Sequence, residues 1–177
     1  TARLAVVGPD QPARAKALQD LGWSVTMNEL AAMGQGTSLA AGIREADRLG
    51  AGAALVMLAD MPNVPDAHLF ALRDALTPDR SAVMSRTGDT PLPPAIFARN
   101  VFPRLMALTG DAGARRVFDE LGNTATVALS PECAADVDTR DDLANLRRFA
   151  AAFSPGTLTR DLGALPRQAK PFCPSSR

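Results

Sequence analysis

The residues best placed to do chemistry in this 177-residue sequence are carboxylates beside turns. The stretch Leu55-Val56-Met57-Leu58-Ala59-Asp60-Met61-Pro62 runs an apolar segment into a lone acid, and a proline then stops regular structure. An unbroken apolar run predicts a strand buried on both faces, as in a parallel sheet covered by helices. Asp60 then stands just past the strand's carboxyl end, where open α/β sheets bind ligands. An acid there suits a metal ion held against a phosphate, and it equally suits a helix cap. Asp136-Val137-Asp138-Thr139 is a second acidic stretch.

Two glycine-bearing loops accompany these acids. Gly34-Gln35-Gly36 leads into Thr37 and Ser38 as capping residues, then into a helix over Leu39–Leu49. Such a loop presents free backbone N–H groups and the positive end of the helix dipole, a seat for an anion or nucleotide. A flexible loop before a capped helix has the same sequence. Gly110-Asp111-Ala112-Gly113 opens another helix with Asp111 as N-cap, and the guanidinium groups of Arg115 and Arg116 follow one turn in. They could grip phosphates in bidentate fashion or simply face solvent.

The elements that must position these groups alternate. Arg3–Gly8, Ala13–Leu21 and Trp23–Met27 read as strand, helix, strand, with Gly22 closing the helix. A helix from Val64-Pro65-Asp66 turns Leu69, Leu72 and Leu76 inward and leaves His68 on the outer face. Ser81–Arg86 is a strand, and Thr87–Pro94 is too rich in proline and glycine for regular structure. Asn100–Leu108 is helical, and Thr126–Leu129 is a weak strand. Thr139 and Asp142 make a capping-box start for a last helix with Leu143, Leu146 and Phe149 inward. This alternation predicts an α/β fold with a mostly parallel central sheet over residues 1–153. Residues 154–177, with four prolines, form an extended tail.

Composition narrows the partners. Nineteen basic residues balance nineteen acidic ones, so no global field recruits nucleic acid or a membrane surface. No apolar run reaches the roughly 18 residues of a spanning helix. Cys133 and Cys173 form neither a disulfide framework nor a zinc motif, which fits a reducing cytoplasm.

Four stretches in order, Gly34-Gln35-Gly36-Thr37-Ser38-Leu39-Ala40-Ala41-Gly42-Ile43, Leu58-Ala59-Asp60-Met61-Pro62, Gly110–Arg115 and Asp136–Thr139 with Asp142-Leu143, together resemble the MobA-like NTP transferases. The likeness is greatest to the molybdenum cofactor cytidylyltransferase branch and runs to about Phe149. It implies a Rossmann-like three-layer sandwich of the nucleotide-diphospho-sugar transferase type. It implies that Asp60 and Asp138 hold Mg²⁺ and that Gly34, Gly36, Ser38 and Leu39 lie against the nucleotide. Gly88 through Phe97 resembles the family's segment near the acceptor, with Pro94 and Phe97 matching and Pro93 in place of a histidine. Asp111 and Arg115 fall in the other motif expected at the substrate. Guanylyl-transferring relatives tend to carry a proline where Ser38 stands, which leans toward cytidine.

The implied reaction is transfer of CMP from CTP to a phosphorylated acceptor, molybdopterin first, with pyrophosphate released. A molybdoenzyme or a chaperone is the implied protein partner. The family opens on a strand and a loop of the form LAAGxSxRMGxxK; Thr1–Gly8 resembles its second strand instead. The chain is therefore expected to be a fragment, or a protein that cannot turn over. A non-catalytic binding module is the second reading, beside a guanylyl- or sugar-phosphate nucleotidyltransferase of the same fold. A glycosyltransferase, from Asp136-x-Asp138 as a DxD motif, is the third.

Overall fold

The computed structural model describes residues 1–139 and 141–144. Strand β1 (Leu4–Val7), helix α1 (Pro12–Asp20) and strand β2 (Ser24–Met27) form the first unit, and β1 and β2 pair in parallel. Pro12 enters α1 where its missing N–H costs nothing, and Gly22 leaves it at φ +77°, a conformation that favours glycine. Helix α2 (Gln35–Arg48) then crosses to β3 (Ala53–Val56). After α3 (Asp66–Ala75) come β4 (Ala82–Thr87) and β5 (Thr90–Ala98), then α4 (Phe102–Met106), α5 (Ala114–Asp119), β6 (Thr124–Ala128) and α6 (Pro131–Ala134). Asp141–Ala144 is helical. The fold is α/β, as the alternation predicts.

Strands β3, β5, β4 and β6 lie side by side in that order, with β5 antiparallel to both neighbours and β6 parallel to β4. Side chains alternate across this sheet. Ala82, Met84, Ala95 and Phe97 enter the larger core with Ile43 of α2, Phe102 and Leu105 of α4, and Val117 and Phe118 of α5. Val83 and Ile96 turn the other way, against Leu72 of α3. Helices thus cover both faces, and β4 and β5 are the most buried strands.

Four expectations are corrected here. The Leu55 strand is not central among the described residues: there β3 pairs with β5 alone, and Leu55 and Met57 remain 41% and 44% exposed. An apolar run reports the faces a strand prefers to bury, not whether its outer edge has a neighbour. Residues 87–94 are a β-hairpin, turning at Gly88 (φ +57°). The prolines are tolerated because β3 pairs only with Ala95–Ala98, leaving Pro91–Pro94 without a ladder on that side. Pro93 and Pro94 also fall at the register shift opposite Met84 and Ser85, where a bulge asks for no donor. His68 is buried, 7% exposed, because it shares the inward face with Leu72 one turn on. Leu143, expected inward, is 39% exposed. Leu146, Phe149 and the expected tail lie outside the described residues.

Leu72 is fully buried between Val83, Ile96 and the strands beside them. Leu72→Ala should cost about 2–5 kcal/mol of stability, read as a fall in the urea midpoint with an unchanged slope.

Candidate functional site

Asp60 is placed by what flanks it. Met61 is buried in a small cluster with Leu129 and Cys133, against Leu58, Val64, Leu92 and Ala134, so the turn after β3 is nailed to the end of β6 and to α6. Asp60 itself stays exposed, and its carbonyl accepts a 2.8 Å hydrogen bond from the Val137 amide. This bond lays the Asp136–Asp138 segment directly beside the Asp60 turn. Just beyond, Thr139 and Asp142 form the expected capping box: the Thr139 hydroxyl and amide both donate to Asp142, at 2.7 and 2.9 Å, and the Asp142 amide returns a bond to Thr139 Oγ1 at 3.1 Å. Those bonds hold the Asp142 carboxyl below the usual carboxylate range.

Asp60 and Asp138 are both exposed, and no ion pair among the described residues engages either. Two hard oxygen donors on touching segments fit a divalent cation whose remaining ligands are water and phosphate. No group of three or more His, Cys, Asp or Glu converges among the described residues, so these build no closed cage.

The glycine loops meet each other. The Gly36 amide donates to the Gly110 carbonyl at 2.8 Å, so that N–H is already committed. Gly34 sits at φ +109°, and a Cβ there would collide with the Gly110 carbonyl and Asp111. One on Gly36 would lie 2.7 Å from the Ala112 oxygen. The close approach accounts for both glycines. The helix therefore begins at Gln35, four residues before its expected start (39 − 35 = 4). Thr37 and Ser38 fall inside its first turn and do not cap it. Asp111 does not cap α5 either; that helix starts at Ala114 with Gly113 before it.

Sequence reasoning passed over Asn28. It is buried at the end of β2, with its amide on the Val7 carbonyl at 2.9 Å. Its side-chain nitrogen donates to Thr37 Oγ1 and to Ser38 Oγ, both at 2.9 Å, and its side-chain oxygen accepts from the Leu30 amide at 3.1 Å. Asn28 thus fixes Ser38 at the rim of a cavity of about 470 Å³ at the carboxyl end of β1, lined by Val6, Gly8, Asp10, Glu29 and Ala31 among others. A lone polar residue after a strand carries no mark of this in sequence. Leu39 packs against the large core. Arg115 pairs with Asp119 at 3.5 Å on the surface of α5.

Pro94 and Phe97 are expected near the acceptor. Both are fully buried in this structure, Phe97 at 0% exposure inside the main core, so their side chains present no surface to a ligand here.

Comparison with known proteins agrees with this architecture. The family described as the MobA-like NTP transferase domain matches residues 1–125. Purine catabolism protein PucB of Bacillus subtilis is 36% identical over 129 residues, 71% of this chain and 62% of PucB. The chain therefore spans about three-fifths of that relative's length. Rv0371c of Mycobacterium tuberculosis superposes with a TM-score of 0.64 at 26% identity, covering 83% of this chain and 76% of that one. The same protein has been crystallised in complex with manganese. Molybdopterin-guanine dinucleotide biosynthesis protein A from Archaeoglobus fulgidus shares the fold, with a TM-score of 0.57 at 18% identity over 83% of this chain and 78% of that one. Among the described residues no helix is long and apolar enough to cross a membrane.

Gly34→Ala should break the contact between the two loops. Amide exchange at Gly36 and Ala112 should accelerate by at least about tenfold, while core amides of β4 and β5 keep their protection.

Proposed function

Because the chain belongs to the MobA-like NTP transferase family, we propose that it serves nucleotidyl transfer, moving CMP from CTP to a phosphorylated acceptor, molybdopterin first. The observation that carries this reading is the bond between Val137 and the Asp60 carbonyl, which joins the two acidic segments. Asp60 and Asp138 would hold Mg²⁺, an ion that neutralises charge gathering on the α-phosphate and the attacking oxygen. The acceptor phosphate oxygen attacks the α-phosphorus in line, and pyrophosphate leaves; positioning and electrostatics suffice. Ser38, held by Asn28, lies beside the cavity where the nucleotide would lie. Asp111 and Arg115 are the remaining groups assigned to substrate. The cytidine preference rests on Ser38 standing where guanylyl-transferring relatives tend to carry proline. Reaction in the cytoplasm, with a molybdoenzyme or chaperone receiving the product, completes the reading.

One observation favours a second reading. Among the described residues the cavity lining holds Asp10 and Glu29 and no Lys or Arg, so none of them neutralises a triphosphate. A non-catalytic relative that keeps the scaffold as a binding module has no need of such a cation.

Transfer of label from α-³²P CTP to molybdopterin separates the two. The wild-type chain should transfer label with Mg²⁺ and lose transfer on chelation, and Asp60→Asn should lower the rate by at least about 10²-fold. Unlabelled acceptor from a wild-type chain that still binds Mn²⁺ would assign the binding module instead.

A further inference from the structure

The direction of the hydrogen bonds around Asn28 decides what Ser38 offers a ligand. The Leu30 amide can only donate, and it meets Asn28 Oδ1 at 3.1 Å, so the oxygen end of the side-chain amide is fixed there. The NH₂ end therefore faces Thr37 Oγ1 and Ser38 Oγ, both at 2.9 Å, and supplies the proton in each bond. Asn28 and Thr37 are both buried.

The two hydroxyls then differ. Thr37 Oγ1 has the Leu30 and Gly34 carbonyl oxygens at 2.9 and 2.8 Å, and its own proton goes to these. A serine inside a helix can return its proton to the carbonyl four residues back. For Ser38 that is the Gly34 carbonyl, which is engaged by Thr37 instead, through the hydroxyl and through the amide at 3.2 Å. Among the described residues Asn28 is the one hydrogen-bond partner of the Ser38 side chain, so a lone pair is filled and the proton is uncommitted. Ser38 lines the cavity of about 470 Å³ together with Asp10 and Glu29, which as carboxylates bring only acceptors.

We propose that Asn28 is a positioning residue that sets the polarity of Ser38. By filling a lone pair of the hydroxyl, it leaves the proton for a carbonyl oxygen or ring nitrogen of the base in the cavity. A base that brings such an acceptor together with an amino group for the carboxylates, as cytosine does, suits this lining. The inference rests on the nucleotide reading of the cavity; it requires binding and not transfer.

Calorimetric binding of CTP with Mg²⁺ to the full chain tests this. Ser38→Ala removes the donor and should weaken binding about 3- to 10-fold. Asn28→Asp keeps the shape and the Leu30 bond but replaces the NH₂ donor by an acceptor, which draws the Ser38 proton away from the cavity. Its loss should equal that of Ser38→Ala, and the two together should lose no more than either alone. Asn28→Ala frees the hydroxyl without capturing its proton, so its loss should lie between wild type and Ser38→Ala. If Asn28→Asp shows no cooperative urea transition, the cycle of Asn28→Ala with Ser38→Ala decides, because the Asn28→Ala loss should vanish once the hydroxyl is gone. A purely structural role for Asn28 gives the same loss with or without that hydroxyl. Additive losses, or a Ser38→Ala chain that binds CTP as wild type does, would overturn the proposal while label transfer could still stand. The expected pattern in a chain that transfers no label would uphold it and sink the transfer reading, and a wild-type chain that binds no CTP would sink both.

Discussion

Two backbones can lie within hydrogen-bond distance across a loop crossing only where side chains do not hold them apart. Gly34 and Gly36 meet Gly110 and Ala112 under that constraint, and the Gly36 amide closes the gap onto the Gly110 carbonyl. From this crossing α2 takes its starting point and its direction along β1, and Thr37 and Ser38 reach Asn28 because the helix begins at Gln35. The glycine-rich loop looks in sequence like an anion seat. In the folded chain its glycines first serve contact between two loops, and any nucleotide must lie against what that contact leaves open.

The acidic pair depends on a different device. The Asp60 turn is fastened through its neighbours, with Met61 buried below and the Val137 amide on the Asp60 carbonyl, while the Asp60 side chain stays in solvent. Apolar anchoring of an adjacent residue holds a carboxylate in place without burying its charge, which would cost far more. The capping box at Thr139 and Asp142 then sets the backbone that follows Asp138, so each acid stands on a segment held by hydrogen bonds from main-chain amides.

Much of this was legible in the residues. The first strand, helix and strand are punctuated by Pro12 and Gly22, and the capping box is spelled out by Thr139 and Asp142. What failed did so for physical reasons. Prolines argue against strands, yet β5 holds them where its outer edge has no ladder to donate to. Polarity argues for His68 on the surface, whereas its spacing from Leu72 puts it on the buried face. Pro94 and Phe97 match a motif expected beside the acceptor, and a motif match carries no signal of the burial both have here. Asn28 left little trace, because apart from the nearby Leu30 its partners come from β1 and from α2 and only folding brings them together.

The division of the strands into a pair, β1 with β2, and a separate group of four has a colloidal consequence. A strand with a vacant flank is a template for any other strand, and among the described residues nothing pairs with the outer flank of β3, where Leu55 and Met57 are exposed. Neither a lysine nor a proline stands within β3 to repel an incoming chain. Whatever covers that flank therefore governs dispersal in solution as much as it governs shape, and a preparation that leaves it uncovered is primed to self-associate through its ladders.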